Sequence, residues 1–233
     1  MNDAFKSSRP SKRVILEGVP GSGKSSAVQA LAAHYKTQGY RVKIMQEKPD
    51  ENLLEQYLNN KPALAALFQF HMATERRVAM RDARAEVEAN TNTIVIIDRS
   101  IAGDWAFEKH LRALGWIPES LHPAYRSISG VKSDESIAVH YPPGLVDVVY
   151  LSVTPATAIR RVTMRGYQAE IDSYDEKYME SLQSAYESVL AECGPVVHTL
   201  DWNADVEMEE DEKGGKKRLP LSAVASIVDL LKY

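Results

Sequence analysis

Val14-Ile15-Leu16-Glu17-Gly18-Val19-Pro20-Gly21-Ser22-Gly23-Lys24-Ser25-Ser26 is the stretch on which the reading of this chain turns. From Gly18 to Ser25 it spells G-x-x-x-x-G-K-[ST] in full. An apolar run leads in and a helical pattern leads out, which is the context that gives such a match meaning. Glycines let the backbone turn tightly enough for successive N–H groups to face phosphate oxygens, at the positive end of the following helix. Gly18, Val19, Pro20, Gly21, Ser22, Gly23, Lys24, Ser25 and Ser26 are therefore candidate triphosphate contacts. Lys24 is suited to the β- and γ-phosphates, and the Ser25 hydroxyl to Mg²⁺. The bland alternative is a chance glycine-rich turn.

Working outward, five short runs rich in β-branched residues read as buried strands: 13–17, 42–46, 93–98, 147–152 and 196–201. Helical spacing marks 25–38, 63–89, 102–114, 155–164, 174–193 and 221–231. Gly39 and Gly115 are placed to end two of these, and Pro62 and Pro155 to open two others. Strands alternating with helices predict an α/β fold, a five-stranded parallel sheet flanked by helices on both faces, in one domain. Two segments break the alternation. Residues 118–143 are mixed in character and expected as a surface excursion. Residues 205–218, acidic and then basic, are expected as a mobile charged loop.

Composition narrows the classes. A net charge of −4 on 233 residues argues against a nucleic-acid coating protein, which needs a broad basic surface. Cys193 is the single cysteine and has no internal partner, which fits a reducing compartment. No apolar run reaches membrane-spanning length, and residues 1–12 lack the apolar core of a signal peptide. The expectation is a soluble, cytoplasmic protein with no membrane or nucleic-acid partner.

The strand ends say which phosphate chemistry to expect. Ile94-Val95-Ile96-Ile97 runs into Asp98-Arg99-Ser100, an acid for the metal side followed by a phosphate clamp. The second strand runs into Glu47, a carboxylate able to accept a proton from an attacking hydroxyl. Taken alone, Glu47 reads as a surface acid. Arg161 and Arg165 are four apart, on one helical face, and together can close over a triphosphate. Taken alone they read as a solvated face.

This ensemble resembles the deoxyribonucleoside kinase family of P-loop kinases, from the glycine-rich loop to about Asn203. The family's acid-Arg-Ser triplet with an Asp four residues on is matched by Asp98-Arg99-Ser100 and Asp104. Its general base after the second strand, followed closely by proline, is matched by Glu47 and Pro49. The resemblance implies that Phe68 and Gln69 read the base and that Tyr57 and Glu170 hold the sugar 3′-hydroxyl. It implies that Lys24, Arg99, Arg161 and Arg165 hold the transferring phosphoryl group, and that Ser25 and Asp98 hold the metal. Asp201 and Asn203 fall where a loop borders the nucleotide's base. It further implies ATP and Mg²⁺ as cosubstrate and metal, strand order 2-3-1-4-5, a homodimer, and a role in deoxynucleotide salvage for DNA precursor synthesis. Two positions depart from the pattern. Asp98 stands where cellular animal members have Glu, and Tyr167 where some members have a third lid arginine.

Arg76 lies two helical turns beyond Gln69. Members favouring deoxycytidine or deoxypurines carry arginine there, paired with the Asp that matches Asp104; thymidine-preferring members tend to carry methionine. The resemblance thus leans away from thymidine, although neighbouring Arg77 leaves open which arginine faces the site. Two rival readings stand beside it. A thymidylate-kinase-like nucleoside monophosphate kinase shares the loop and the Asp-Arg pair. A non-catalytic ATP-binding module would need neither Glu47 nor the lid arginines.

Overall fold

β-Branched runs pair as one parallel sheet, buried on both faces at its three central strands. The two edge strands, expected as buried, are half-exposed because each pairs on one side only. In a computed structural model, which describes residues 9–46, 49–206, 209–210 and 217–231, the strands are β1 (Lys12–Glu17), β2 (Arg41–Met45), β3 (Thr93–Asp98), β4 (Val146–Ser152) and β5 (Val197–Asp201). Their order is β2-β3-β1-β4-β5, the expected one. Leu16 pairs in register with Asp98 and with Val149, and Met45 with Ile97, so the carboxyl ends of the strands emerge along one edge. The glycine-rich loop, the Asp98-Arg99 turn and the end of β2 meet there.

Alternation along each strand divides the core in two. Val14, Leu16, Ile94 and Ile96 face α1 (Lys24–Thr37) and the C-terminal residues Val224 and Ile227. Ile15, Val95 and Ile97 face a larger cluster on α3 (Lys61–Ala89), α4 (Ile101–Ala113) and α8 (Glu176–Glu192). Short polar residues set the helix starts. Asp50 caps α2 (Glu51–Asn59) by accepting from Leu53 N–H, Thr154 caps α6 (Pro155–Arg165), and Asp175 caps α8 through Tyr178 N–H.

The sequence reading misses α2, α5 (His122–Ile128) and α7 (Gln168–Ile171), all short. Residues 221–231 divide into a 3-10 turn (Leu221–Val224) and α9 (Ala225–Leu230). Most of the 118–143 segment is exposed or half-buried, but it is anchored from within. Tyr125, Val131, Ile137 and Tyr141 are buried in the larger core, because short turns rather than one periodic helix direct them inward. Within 205–218, Glu209–Glu210 pair antiparallel with Lys217–Arg218, whereas residues 207–208 and 211–216, on which the mobile-loop expectation also falls, lie outside the described residues. Among the described residues no helix is long and apolar enough to cross a membrane.

Candidate active site

A cavity of about 460 Å³ opens at the carboxyl edge of the sheet, lined on one side by Gly21, Gly23, Lys24 and Ser25 and on the other by Tyr57, Gln69 and Arg76. On the phosphate side the loop follows β1 and turns through positive φ at Gly21 and Gly23. A Cβ at Gly21 would stand 2.2 Å from the Ala158 carbonyl, so α6 can pack on the loop only if that residue is glycine. Lys24 is buried and donates to Gly18 O (2.7 Å), Val19 O (3.0 Å) and Ser22 Oγ (3.2 Å). Its ammonium is thereby held inside the curl of the loop, which Ser22 N–H closes by donating to Val19 O at 3.1 Å.

The Ser25 hydroxyl donates to Asp98 Oδ2 at 2.9 Å. Asp98 Oδ1 is buried and accepts no hydrogen bond among the described residues. A hydroxyl beside a carboxylate with an unused oxygen is a donor set suited to Mg²⁺, which binds through one or two protein oxygens and completes its shell with water and phosphate. Arg99 adopts φ 66°, uncommon for a residue with a side chain. Its N–H donates to Leu16 O, and its guanidinium lies over the Phe107 ring at 5.1 Å and reaches Gly18 O at 3.4 Å.

Glu17, which the sequence reading treats only as a strand end, locks this turn in place. It is fully buried, and its Oε1 accepts from Ser100 N (2.7 Å), Ser100 Oγ (2.6 Å) and Gly103 N (3.2 Å). Burial raises its pKa, against the lowering effect of the bonds from Ser100 and the charge of Arg99. Since the one proton of Ser100 Oγ goes to Glu17, the Tyr141 hydroxyl, 2.8 Å away, donates to Ser100 and accepts from Ala102 N–H (2.7 Å).

On the other side of the cavity the polar groups meet each other. Gln69 Nε2 donates to Asp104 O (3.0 Å) and Oδ1 (2.6 Å). Arg76 pairs with Asp104 Oδ1, and the Tyr125 hydroxyl donates to Asp104 Oδ2. All four side chains are buried. Arg77 turns away and donates to Ile128 O at 3.2 Å, so of the two arginines Arg76 faces the site. Phe68 stacks on Tyr57 with ring centroids 4.5 Å apart and planes 2° from parallel, and both line the cavity. Burial pushes the Tyr57 hydroxyl up to about 12.

The lid candidates divide. Arg165 and Glu170 line the cavity and pair with each other at 2.9 Å. Arg161 instead donates to Asn203 O (3.4 Å) and Ala204 O (2.9 Å) in the loop after β5, near Gly23. In that loop Asp201 Oδ1 accepts from Asn203 N and Nδ2, and Asn203 Oδ1 accepts from Thr154 N–H. Trp202 stands against Gly23, its indole Nε1 3.3 Å from where a Cβ would be. Tyr167 is exposed. Glu47 lies outside the described residues; Gln46 and Pro49 on either side of it line the cavity.

Sequence reasoning overlooks Glu17, Tyr125 and Tyr141. The position of Glu17 directly before Gly18 was the available signal, since a carboxylate at the end of a buried strand needs donors. No local signal marks the tyrosines, which arrive from the segment read as surface.

Comparison with known proteins bears on this site. The family model for deoxynucleoside kinases matches residues 14–218. A deoxyguanosine kinase of Dictyostelium discoideum is 26% identical over 206 residues, 87% of this chain and 68% of that protein. A thymidylate kinase of Caldanaerobacter subterraneus subsp. tengcongensis is 23% identical over 182 residues, 75% of this chain and 79% of that protein. Among solved structures, deoxyadenosine kinase from M. mycoides with bound dCTP superposes with a TM-score of 0.67 at 22% identity, over 94% of this chain and 98% of that one. With its P-loop, its five-stranded parallel sheet and a family match spanning most of its length, the chain belongs to the deoxynucleoside kinase family.

Proposed function

We propose that this deoxynucleoside kinase transfers the γ-phosphoryl group of ATP to the 5′-hydroxyl of deoxycytidine, deoxyadenosine or deoxyguanosine in preference to thymidine. The observation that carries the substrate preference is the buried Gln69–Asp104–Arg76 cluster behind the acceptor side of the cavity. An arginine held there by a carboxylate offers donors to a polar base edge and occupies the space a thymine methyl group would need.

In this reading Gly18 to Ser26 cradle the triphosphate, and Lys24, Arg99, Arg161 and Arg165 hold the transferring group as charge builds on its oxygens. Ser25 and Asp98 are the residues that would hold Mg²⁺, whose charge neutralises phosphate oxygens. Glu47 takes the 5′-hydroxyl proton, and the sugar oxygen displaces the diphosphate as the leaving group. Tyr57 and Glu170 anchor the 3′-hydroxyl, Phe68 stacks on the base, and the loop from Asp201 to Asn203 borders the nucleotide donor's base. The Arg165–Glu170 pair ties the phosphate lid to the sugar contact, so closing one orders the other. The same reading makes the protein a cytoplasmic homodimer serving deoxynucleotide salvage, without nucleic-acid or membrane partners.

Turnover with ATP and Mg²⁺ against the four deoxynucleosides and thymidine monophosphate tests it. Phosphorylation of deoxycytidine or a deoxypurine ahead of thymidine is expected. Turnover of the monophosphate alone would put a phosphate, not a neutral sugar, at the acceptor side, where Arg76 supplies the cation such a substrate needs.

A further inference from the structure

Lys61 is a buried cation to which the proposed reaction gives no part. It is 7% exposed and stands at the first position of α3, a place that works against its charge twice. The amino end of a helix is electropositive, and burial strips an ammonium of its water. Its partners offset part of that cost. Nζ donates to Ser173 O and lies 4.5 Å from the Tyr174 ring centroid and 4.3 Å from that of Tyr178. The two rings stand 5.4 Å apart, so one ammonium binds both.

These contacts join segments that are distant in sequence and adjacent in the site. Lys61 closes the turn between α2, whose last residues include Tyr57, and the helix that carries Phe68 and Gln69. Ser173 and Tyr174 connect α7, which carries Glu170, to α8. Tyr57, Phe68, Glu170 and Tyr174 line the active-site cavity. Lys61 instead faces a second pocket, of about 510 Å³, together with Leu58, Ser173 and Tyr178. It therefore acts on the active-site cavity through its neighbours rather than by touching what binds there.

We propose that the Lys61 ammonium is a positioning group for the phosphoryl acceptor: by tying Ser173, Tyr174 and Tyr178 to the turn before α3, it holds the Glu170–Tyr174 wall against the Tyr57–Phe68 wall and so sets acceptor affinity. This rests on the reading of that side of the cavity as the acceptor site.

The charge makes the tie sensitive to pH. Burial lowers the Lys61 pKa to about 8, while the carboxylate of Asp175, at the cap of α8, pulls the other way. On α4, His110 feels the same ammonium and is kept uncharged, its own pKa lowered to about 4, chiefly by burial. Tyr174 and Tyr178 keep their protons, because burial raises both above the ordinary value. Asp172 and Lys177 line the same pocket. Below about pH 8 the ammonium attracts both rings; above it the amine is neutral, and the attraction of cation for ring is gone.

The test measures acceptor KM and kcat for wild type and Lys61→Met from pH 7 to about 9, with saturating ATP and Mg²⁺. The acceptor is whichever the wild type phosphorylates, a deoxynucleoside or thymidine monophosphate. At pH 7 the variant's acceptor KM is expected to be about tenfold higher, the scale of a desolvated cation–π contact, with a smaller change in kcat. The ratio of the two KM values should then fall toward one as pH passes about 8, since the wild type loses a charge that the variant never had. Other titrating groups are common to both proteins and cancel in that ratio. The ligand-free Tm at each pH checks folding, and assays are run below it. A ratio near one at pH 7, or a loss confined to kcat, would overturn the inference. So would a ratio that stays high through pH 9, because shape and not charge would then do the holding. Turnover of the monophosphate alone sinks the deoxynucleoside reading, while the same KM ratio still judges Lys61. No turnover of any acceptor sinks both.

Discussion

The two sides of the cavity are built on opposite plans. The phosphate side is made by neighbours in sequence: one loop folds over its own lysine, and Ser25, next along the chain, reaches Asp98 at the end of β3. In the proposed reading its work falls largely to backbone N–H groups, which any sequence with the right glycines supplies. The base side is made by strangers. Gln69 and Arg76 come from α3, Asp104 from α4 and Tyr125 from α5, and the four are buried against one another. One side can lose a charge and keep its shape, whereas on the other, charge and shape are the same thing.

That contrast is open to breaking. Lys24→Ala is expected to lower turnover by on the order of 10²–10³-fold, the usual loss for one preorganised donor to a developing oxyanion, with a smaller change in Tm. A larger loss of stability than of rate would erase the distinction. Asp104→Asn should do the reverse. It withdraws the counter-charge from buried Arg76 and is expected to cost about 3 kcal/mol of folding stability, read from urea unfolding. Unchanged stability would mean that the base side is not held by its charges.

Further along α4, a pH scan sharpens the comparison. His110 is buried, bonded to Ser181 at 2.9 Å, and burial, aided by the charge of Lys61, lowers its pKa to about 4. An unfolded histidine binds its proton near 6.5, so the unfolded chain gains the proton first as pH falls. Stability should therefore drop between pH 6.5 and about 4, by roughly 2–3 kcal/mol, and His110→Gln should flatten that part of the Tm profile. An equally steep profile in the variant would assign the loss to other groups. The smallest effect is expected at the lid. Arg165 is about half exposed, so Arg165→Ala should shift stability by less than about 1 kcal/mol while slowing turnover.

What could be read in advance follows the same division. The strands and the phosphate loop were legible because each is local: a continuous β-branched run, a glycine spacing, an acid at a strand end; the sheet order came only with the family resemblance. The side-chain caps at Asp50, Ser100, Thr154 and Asp175 were not used, and the helix that Asp50 starts was missed. The base side was half legible, because Gln69 and Arg76 share a helix face while Asp104 was joined to them only by the family resemblance. Tyr125 and Tyr141 were not legible. They sit in a segment of short turns whose polarity looks superficial, and only packing against α3 and α4 turns them inward. Arg161 shows what spacing leaves out. Its four-residue spacing from Arg165 gives a shared face, but Arg161 is bonded to the loop after β5 and Arg165 to Glu170.

Gly103 sits in the first turn of α4, where a Cβ would lie 2.3 Å from Glu17 Oε2 and 2.9 Å from the Tyr186 hydroxyl. The carboxylate and the tyrosine hydroxyl take the volume that a side chain would need. The two positions, one ahead of the phosphate loop and one beyond the Asp98-Arg99 turn, are therefore a lock and its keyway. Across descendants of this sequence, position 103 gains room for a side chain only where both residue 17 and Tyr186 have given way, so a change there is tied to changes at two other positions.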